Sequence, residues 1–251
     1  MKRIRAIWIA ACFAASFIFI FNNQMYSQTG NFEIQEGDLL FQDSNCGDFC
    51  HAIKKVTRGI YGAGFSHVGI ARKNKQNEWV VVEAVTDGGV KETPLADFLL
   101  KHLDEEGLPR VAVGRIKKEY QSLIPMALKH VDKYIGKEYD RVFDIENDSY
   151  YCSELIYFIF KEANGDRDVF DLEPMTFVNP ETGKTFRIWE EYYKELGEEI
   201  PEQKPGLNPG GMSRSPKLDV YFPYSSFQLK LPAMKSGISE TDSGNNGTTG
   251  N

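Results

Sequence analysis

The chain has 251 residues and a formal net charge of −7, with 41 % of its residues hydrophobic and 26 % charged. That balance suits a folded domain with a full core rather than a disordered chain. No basic run follows the first few residues, which excludes a surface that tracks a phosphate backbone, so no nucleic-acid partner is expected.

Lys2, Arg3 and Arg5 precede an uncharged apolar run over residues 6–21. A basic start and a short apolar core read as a bacterial-type export signal, and the run is shorter than the roughly 20 residues of a membrane span. Ser27 before Gln28 is the expected cleavage point. Ile9-Ala10-Ala11-Cys12 resembles a lipidation box but lies too early, inside the apolar run, and a retained N-terminal anchor stays open. Loss of residues 1–27 removes three positive charges and leaves the chain at −10. The chain therefore divides into a signal peptide or anchor (1–27), one folded domain (28–234) and a disordered tail rich in Ser, Gly, Asn and Thr (235–251). The expected location is outside the cytoplasm, periplasmic or associated with the cell envelope, with membrane association open through the N-terminus or a lipid-like substrate.

Gly37-Asp38 reads as a turn before a strand at Leu39-Leu40-Phe41, and Phe49–Thr57 as a short helix. Cys46 and Cys50 frame the start of that helix. Two cysteines four apart on a regular helix sit near the limit of disulfide geometry, so a bridge requires Cys46 in the preceding turn, where Gly47 and Asp48 allow it. Two reduced packing residues are the other reading. With His51, the pair is one residue longer than a haem-attachment spacing and could supply three metal ligands, but no axial partner is evident. No metal and no cofactor are expected.

In Phe65-Ser66-His67-Val68-Gly69-Ile70-Ala71, His67 and Gly69 alternate with Val68 and Ile70, the pattern of a strand with two distinct faces. Gly69 leaves room beside the imidazole for another backbone or a ligand. Trp79–Val85 is a second strand, and its Glu83 is a charge within an apolar run: either a paired buried carboxylate or a strand-end charge facing water. The short Lys73–Glu78 connection predicts an antiparallel hairpin that brings His67 and Glu83 near one another. Leu95–Leu103 and Tyr120–Tyr134 read as helices flanking a strand at Arg110–Ile116.

Cys152–Ala163 is a strongly apolar helix, with Leu155, Ile156, Ile159, Phe160 and Ala163 on one wide face. Asp148 or Ser149 is the expected cap and Gly165 the stop. A β-rich alternative exists, since Tyr150–Phe160 is heavy in aromatic and β-branched residues. A thiol at a helix N-terminus meets unpaired N–H groups that favour thiolate and could hold an oxyanion. Alone, Cys152 is equally a small buried hydrophobe and His67 a structural histidine. Together Cys152, His67 and Glu83 supply nucleophile, base and orienting carboxylate. His51, His102 and His130 compete poorly, following the cysteine pair or lying in polar helical surroundings, and no G-x-S-x-G elbow occurs. The long irregular stretch Pro174–Gly211 is either one wall of a substrate cleft or surface decoration. Within it Trp189, Tyr192 and Tyr193 are spaced to pack a helix onto the body.

Phe65-Ser66-His67-Val68-Gly69-Ile70, Val82-Glu83-Ala84 and Tyr151-Cys152-Ser153-Glu154-Leu155, with Gly136-Lys137-Glu138-Tyr139-Asp140 ahead of the cysteine, resemble the permuted NlpC-type papain-like hydrolases of the YiiX/YebB branch. The order histidine, glutamate, cysteine inverts the cysteine-first order of papain. The resemblance spans Ile34 to Phe222 and implies an α+β fold, with a nucleophile-bearing helix packed on an antiparallel sheet. It also implies Cys152, His67 and Glu83 as triad in an amidase or peptidase. Tyr151, Ser66 and Asn208 are the candidate substrate contacts. The expected reaction is cleavage of an amide through a thioester acyl-enzyme, on a peptidoglycan-type peptide or, second, an N-acyl or lipid-like amide of the cell envelope. The competing readings are a lipid- or ligand-binding module of the same fold with little turnover, and an acyl-lipid esterase or acyltransferase.

Overall fold

The two alternating stretches do pair as a hairpin, and the rest of the sheet grows from it. The computed structural model describes residues 32–224, so the export segment and the tail beyond 234 lie outside the described residues. In chain order the main elements are β1 (Leu39–Gln42), α1 (Asp48–Val56), β2 (His67–Lys73), β3 (Trp79–Val85), β4 (Gly89–Pro94), α2 (Leu95–Leu100) and β5 (Val111–Ile116). They continue with α3 (Ile124–Val131), α4 (Cys152–Ala163), β6 (Glu173–Pro174), α5 (Arg187–Leu196), β7 (Pro205–Gly206), α6 (Pro209–Ser213) and β8 (Leu218–Tyr221). Six strands form one sheet in the order β4-β3-β2-β1-β5-β8, every neighbouring pair antiparallel. The fold is α+β, as expected.

The central strands are apolar on both faces because both faces are covered. Leu39, Phe41, Val68, Ile70, Val82 and Ala84 meet α3 and α4 on one side. Leu40, Ala71, Val81, Val111 and Val113 meet Phe98 and Leu99 of α2 on the other. This is why Val80–Ala84 reads as an unbroken apolar run with one carboxylate in it. On α4 the side chains of Leu155, Ile156, Ile159 and Phe160 are fully buried. Truncating any one to Ala costs about 2–5 kcal/mol in lost transfer energy and cavity. Residues 150–160 are thus helical from Cys152 on; burial of a helical face overrides the strand propensity of their aromatic and β-branched members.

Several boundaries differ from the sequence expectation. The helix is capped by neither Asp148 nor Ser149: it starts at Cys152, with Tyr151 at the cap position, and the buried Glu154 carboxyl accepts the Tyr151 N–H at 3.0 Å. Asp148 is instead exposed and pairs with Lys137. The stop at Asn164–Gly165 is as expected. The segment from Tyr120 begins as a 3-10 turn, Lys118–Leu123, and becomes α-helical only where Pro125, which needs no intrahelical partner for its nitrogen, falls in the first turn. Likewise α2 ends at Leu100, and Leu103 bridges to Pro109, so His102 lies beyond the helix rather than in it.

Strand β4 was not legible as a strand: its sequence, GVKETP, has little apolar content because it is an edge. At its start Gly89 (φ +64°) lets the chain before α4 approach closely, since a Cβ there would lie 2.1 Å from the Lys137 carbonyl oxygen. Val90 consequently bonds both ways with that chain, donating to Lys137 at 2.9 Å and accepting from Gly136 at 2.8 Å.

Candidate active site

His67 is the first residue of β2, at the end of the sheet, and Cys152 is the first residue of α4. The imidazole is therefore on the α2 side of the sheet, 6.0 Å from the Phe98 ring, yet it reaches the tip of the helix on the other side. Its Nε2 lies 2.5 Å from Glu83 Oε2, and the Cys152 side chain is near enough to act on the charge of the ring. With Nε2 engaged by the carboxylate, Nδ1 is the nitrogen left for sulfur. Cys152 is 7 % exposed, the His67 side chain 13 % and Glu83 1 %, so the three groups meet at the edge of the core.

The electrostatics follow from that placement. Burial alone would lower the His67 pKa, but hydrogen bonds to Cys152 and Glu83 and the attraction of their charges together outweigh it, raising the pKa to about 9. For Glu83, burial favours the neutral acid, while His67 and the Thr93 hydroxyl hold the charged form and bring the pKa down to about 2. Glu83 is therefore a carboxylate, and not a strand-end charge in water. Thr93 was missed in the sequence because it lies on the unrecognised β4; its Oγ1 donates to Glu83 Oε1 at 2.6 Å.

Cys152 lines a cleft that is open to solvent. All three candidate contact residues line it, each held by the protein itself. The Ser66 hydroxyl accepts the Ser44 N–H at 3.1 Å, the Tyr151 hydroxyl accepts the Leu207 N–H at 3.1 Å, and Asn208 Oδ1 accepts the Gly211 N–H at 2.7 Å at the start of α6. Met175, Phe177 and Leu207 also face the cleft, so part of the stretch 174–211 forms its wall. Trp189 and Tyr193 are buried and Trp189 stacks on Phe49 of α1 at 4.5 Å, packing α5 onto the body.

Two further lining residues were not singled out. Tyr139 is half-buried beside Cys152, and desolvation, then the nearby sulfur, pushes its phenol well above the ordinary range. Phe143 adopts a left-handed backbone (φ 56°), a strained conformation for a bulky side chain, in a loop held by Asp140. The buried Asp140 carboxylate accepts the N–H groups of Val142 at 2.8 Å and Asp144 at 2.7 Å. The Tyr139-Asp140 pair ahead of the nucleophile was the signal that could have drawn attention to both.

The remaining titratable candidates fall elsewhere. Cys46 and Cys50 form a disulfide with Cα atoms 5.2 Å apart, Cys46 lying in the turn before α1, so neither thiol is available to haem or metal. His51 is exposed, His130 pairs with Glu162 at 2.9 Å, and His102 accepts the Asn45 N–H at 3.5 Å. Cys152 is the free cysteine among the described residues.

A helix-borne thiol against an antiparallel sheet that carries histidine and carboxylate is the architecture of a papain-like cysteine hydrolase. Residues 33–221 match the family described as permuted papain-like amidase enzyme, YaeF/YiiX, C92. The chain belongs to this family, and it is a cysteine hydrolase of the amidase or peptidase type. It is 29 % identical over 187 residues to the uncharacterized protein YiiX of Escherichia coli K12, covering 73 % of this chain and 84 % of that one. A crystal structure of metalloprotein yiiX from Escherichia coli O157:H7 aligns with a TM-score of 0.59 at 26 % identity, over 76 % of this chain and 98 % of that one. Among the described residues here, no group of three or more His, Cys, Asp or Glu is placed to hold a metal ion. The residues do not fit a site of that kind, and no step below passes through one.

Proposed function

We propose that the protein is an exported cysteine hydrolase that cleaves an amide bond with Cys152 as nucleophile, His67 as base and acid, and Glu83 as the orienting carboxylate. The observation that carries this reading is the Glu83–His67 pair, Nε2 to Oε2 at 2.5 Å, with the Cys152 side chain among the groups that raise the pKa of the same imidazole. Glu83 stays charged at neutral pH and fixes the imidazole with Nε2–H directed at Oε2, leaving Nδ1 for the thiol proton.

In the first step the Cys152 sulfur attacks the carbonyl carbon, and the oxygen takes up negative charge. The Cys152 N–H, in the first turn of α4, has no intrahelical acceptor and can donate to that oxygen. His67 then gives its proton to the amide nitrogen, the C–N bond breaks and an amine leaves, with the acyl group held as a thioester on Cys152. Water, deprotonated by His67, attacks the thioester and releases a carboxylic acid and the thiol.

Export rests on the basic and apolar N-terminus, and the Cys46–Cys50 disulfide supports it, because such bonds persist in oxidising compartments. In that compartment an envelope amide, of the peptidoglycan-peptide or N-acyl kind, is the substrate to test. A binding module without turnover has no need of the paired Glu83 and His67 beside an accessible sulfur. Iodoacetamide labelling followed by peptide mapping tests the reading: label should fall on Cys152, disappear in Cys152→Ala and slow strongly in His67→Ala. A labelling rate that ignores the His67 change would leave the binding module as the better reading.

A further inference from the structure

We infer that Glu154 is a positioning residue for the nucleophile, an uncharged carboxyl that fixes the peptide leading into Cys152 and leaves the positive end of α4 to the oxygen of the bond under attack. The inference rests on the reading of Cys152 as nucleophile and adds a residue that acts through the end of its helix.

Glu154 is the third residue of α4, two positions beyond Cys152. Its side chain turns back along the helix, and Oε2 accepts the N–H of Tyr151 at 3.0 Å. The Tyr151 hydroxyl in turn accepts the Leu207 N–H at 3.1 Å, so the residue before the nucleophile is held by its main chain and by its side chain. An acid in the first turn of a helix is ordinarily exposed and ionised, and its charge answers the partial positive charge of the free N–H groups. Glu154 is instead fully buried, and its Oε1 has no partner among the described residues. A carboxylate stripped of water with one oxygen unbonded is costly, and the neutral acid is the form that such a site accepts.

The groups that act on it are acids, phenols and the sulfur. Asp140 and Asp144, in the loop before α4, and Cys152 on its own helix oppose its ionisation, and the phenols of Tyr134, Tyr150 and Tyr151 lie in the same field. Lys204 pairs with Asp144 at 3.4 Å. Burial leads, the Tyr151 N–H opposes it, and the two acids and the sulfur reinforce it, so that the Glu154 pKa is raised to about 9. The result is a cap without a charge. An ionised Glu154 would cancel, within the same turn, the field that the Cys152 N–H offers to the oxygen taking up negative charge during acylation. The neutral acid holds the peptide and leaves that field intact. As pH rises through about 9 the carboxyl loses its proton, and acylation should slow for a reason separate from His67.

The test compares two electrophiles on the full chain. p-Nitrophenyl acetate forms its S–C bond through an oxyanion and releases nitrophenolate without needing an acid, whereas iodoacetamide alkylates sulfur and forms no oxyanion. Dividing the first rate by the second, each read by intact mass, removes the state of the sulfur itself. Between pH 7 and 10 the native acylation-to-alkylation ratio should fall about fivefold or more, and in Glu154→Gln, which keeps the acceptor but cannot ionise, it should stay within about twofold. A native ratio that does not fall, or one that falls equally in the variant, overturns the inference and leaves the proposed reaction standing. Should the variant not fold, the native protein decides alone. Its infrared spectrum must then show a protonated carboxyl at pH 7 that is lost by pH 10, and absence of that band overturns the inference. Failure of iodoacetamide to label Cys152 in the native protein overturns the reaction itself, and this inference with it.

Discussion

Gly69 and Glu83 stand face to face on β2 and β3 with no room for a second side chain between them. A Cβ on Gly69 would lie 3.3 Å from the Glu83 Cβ, 2.9 Å from the Val82 carbonyl oxygen and 2.5 Å from Val81 Cγ1. Ordinary cross-strand Cβ pairs sit about 4.5–5.5 Å apart. The missing side chain lets Glu83 lie across the strand and reach His67, two residues along. Gly69→Ala should force β3 away and cost about 1–3 kcal/mol, measured by urea unfolding. It should also slow alkylation of Cys152 in molecules that remain folded; an unchanged rate would detach Gly69 from the site.

The raised pKa of His67 gives the nucleophile a cationic neighbour. The imidazolium persists to about pH 9, and a positive charge beside a sulfur favours its attack on an electrophile. Alkylation of Cys152 at pH 7 should therefore be several-fold faster in the native protein than in His67→Ala. A native rate no faster than the variant's would detach the imidazole from the sulfur.

Stability should record the same pair from both ends. The Glu83 contribution is complete above its ordinary 4.5 and is lost as pH falls towards about 2. That of His67 is complete below 6.5 and is lost as pH rises through about 9. Glu83→Gln should remove most of the acid-side dependence and cost about 3 kcal/mol at pH 6, because it leaves a buried imidazole without its charge partner. Chemical denaturation across pH 3–10 measures both limbs.

Glu154 predicts the opposite sign on its own limb. Its carboxyl is fully buried, with Oε1 lacking a partner among the described residues, and burial raises its pKa to about 9. A raised folded pKa means stability is complete below 4.5 and is lost as pH rises towards 9. Glu154→Gln keeps an acceptor for the Tyr151 N–H and cannot ionise. It should lose less stability between pH 5 and 9 than the parent, by about 1–3 kcal/mol. Equal losses in the two proteins would mean that Glu154 is charged in the fold.

Thiol counting checks the disulfide. Protein lacking residues 1–27, denatured without reductant, should show Cys152 as its single titratable thiol, with Cys46 and Cys50 appearing only after reduction. Immediate reaction of all three would show the pair to be reduced.

What the sequence made legible was what local pattern determines. The alternation around His67, the apolar run around Glu83 and the short connection between them were enough to predict the hairpin that is present. Helix periodicity was enough to bury α4. The missing pieces depend on tertiary contact. Thr93 sits on an edge strand with no apolar period, and it acts only because β4 happens to register beside Glu83. The cap of α4 comes from a buried acid within the helix rather than from the polar residues before it. The cleft is assembled from α1, the 139–143 loop and residues 175–209, which no local pattern relates.

The two hydrogen bonds on Leu207 come from Tyr151 and Ser153, the residues on either side of the nucleophile. The chain that leaves α4 thus returns, more than forty positions later, to be fastened next to its own starting point. Everything between, including β6, α5 and β7, is a handle closed at both ends on the same few ångströms of helix. A handle of that kind can be lengthened, shortened or exchanged while its ends stay fixed. Descendants of one ancestor could therefore change what they grip without retuning the sulfur that cuts.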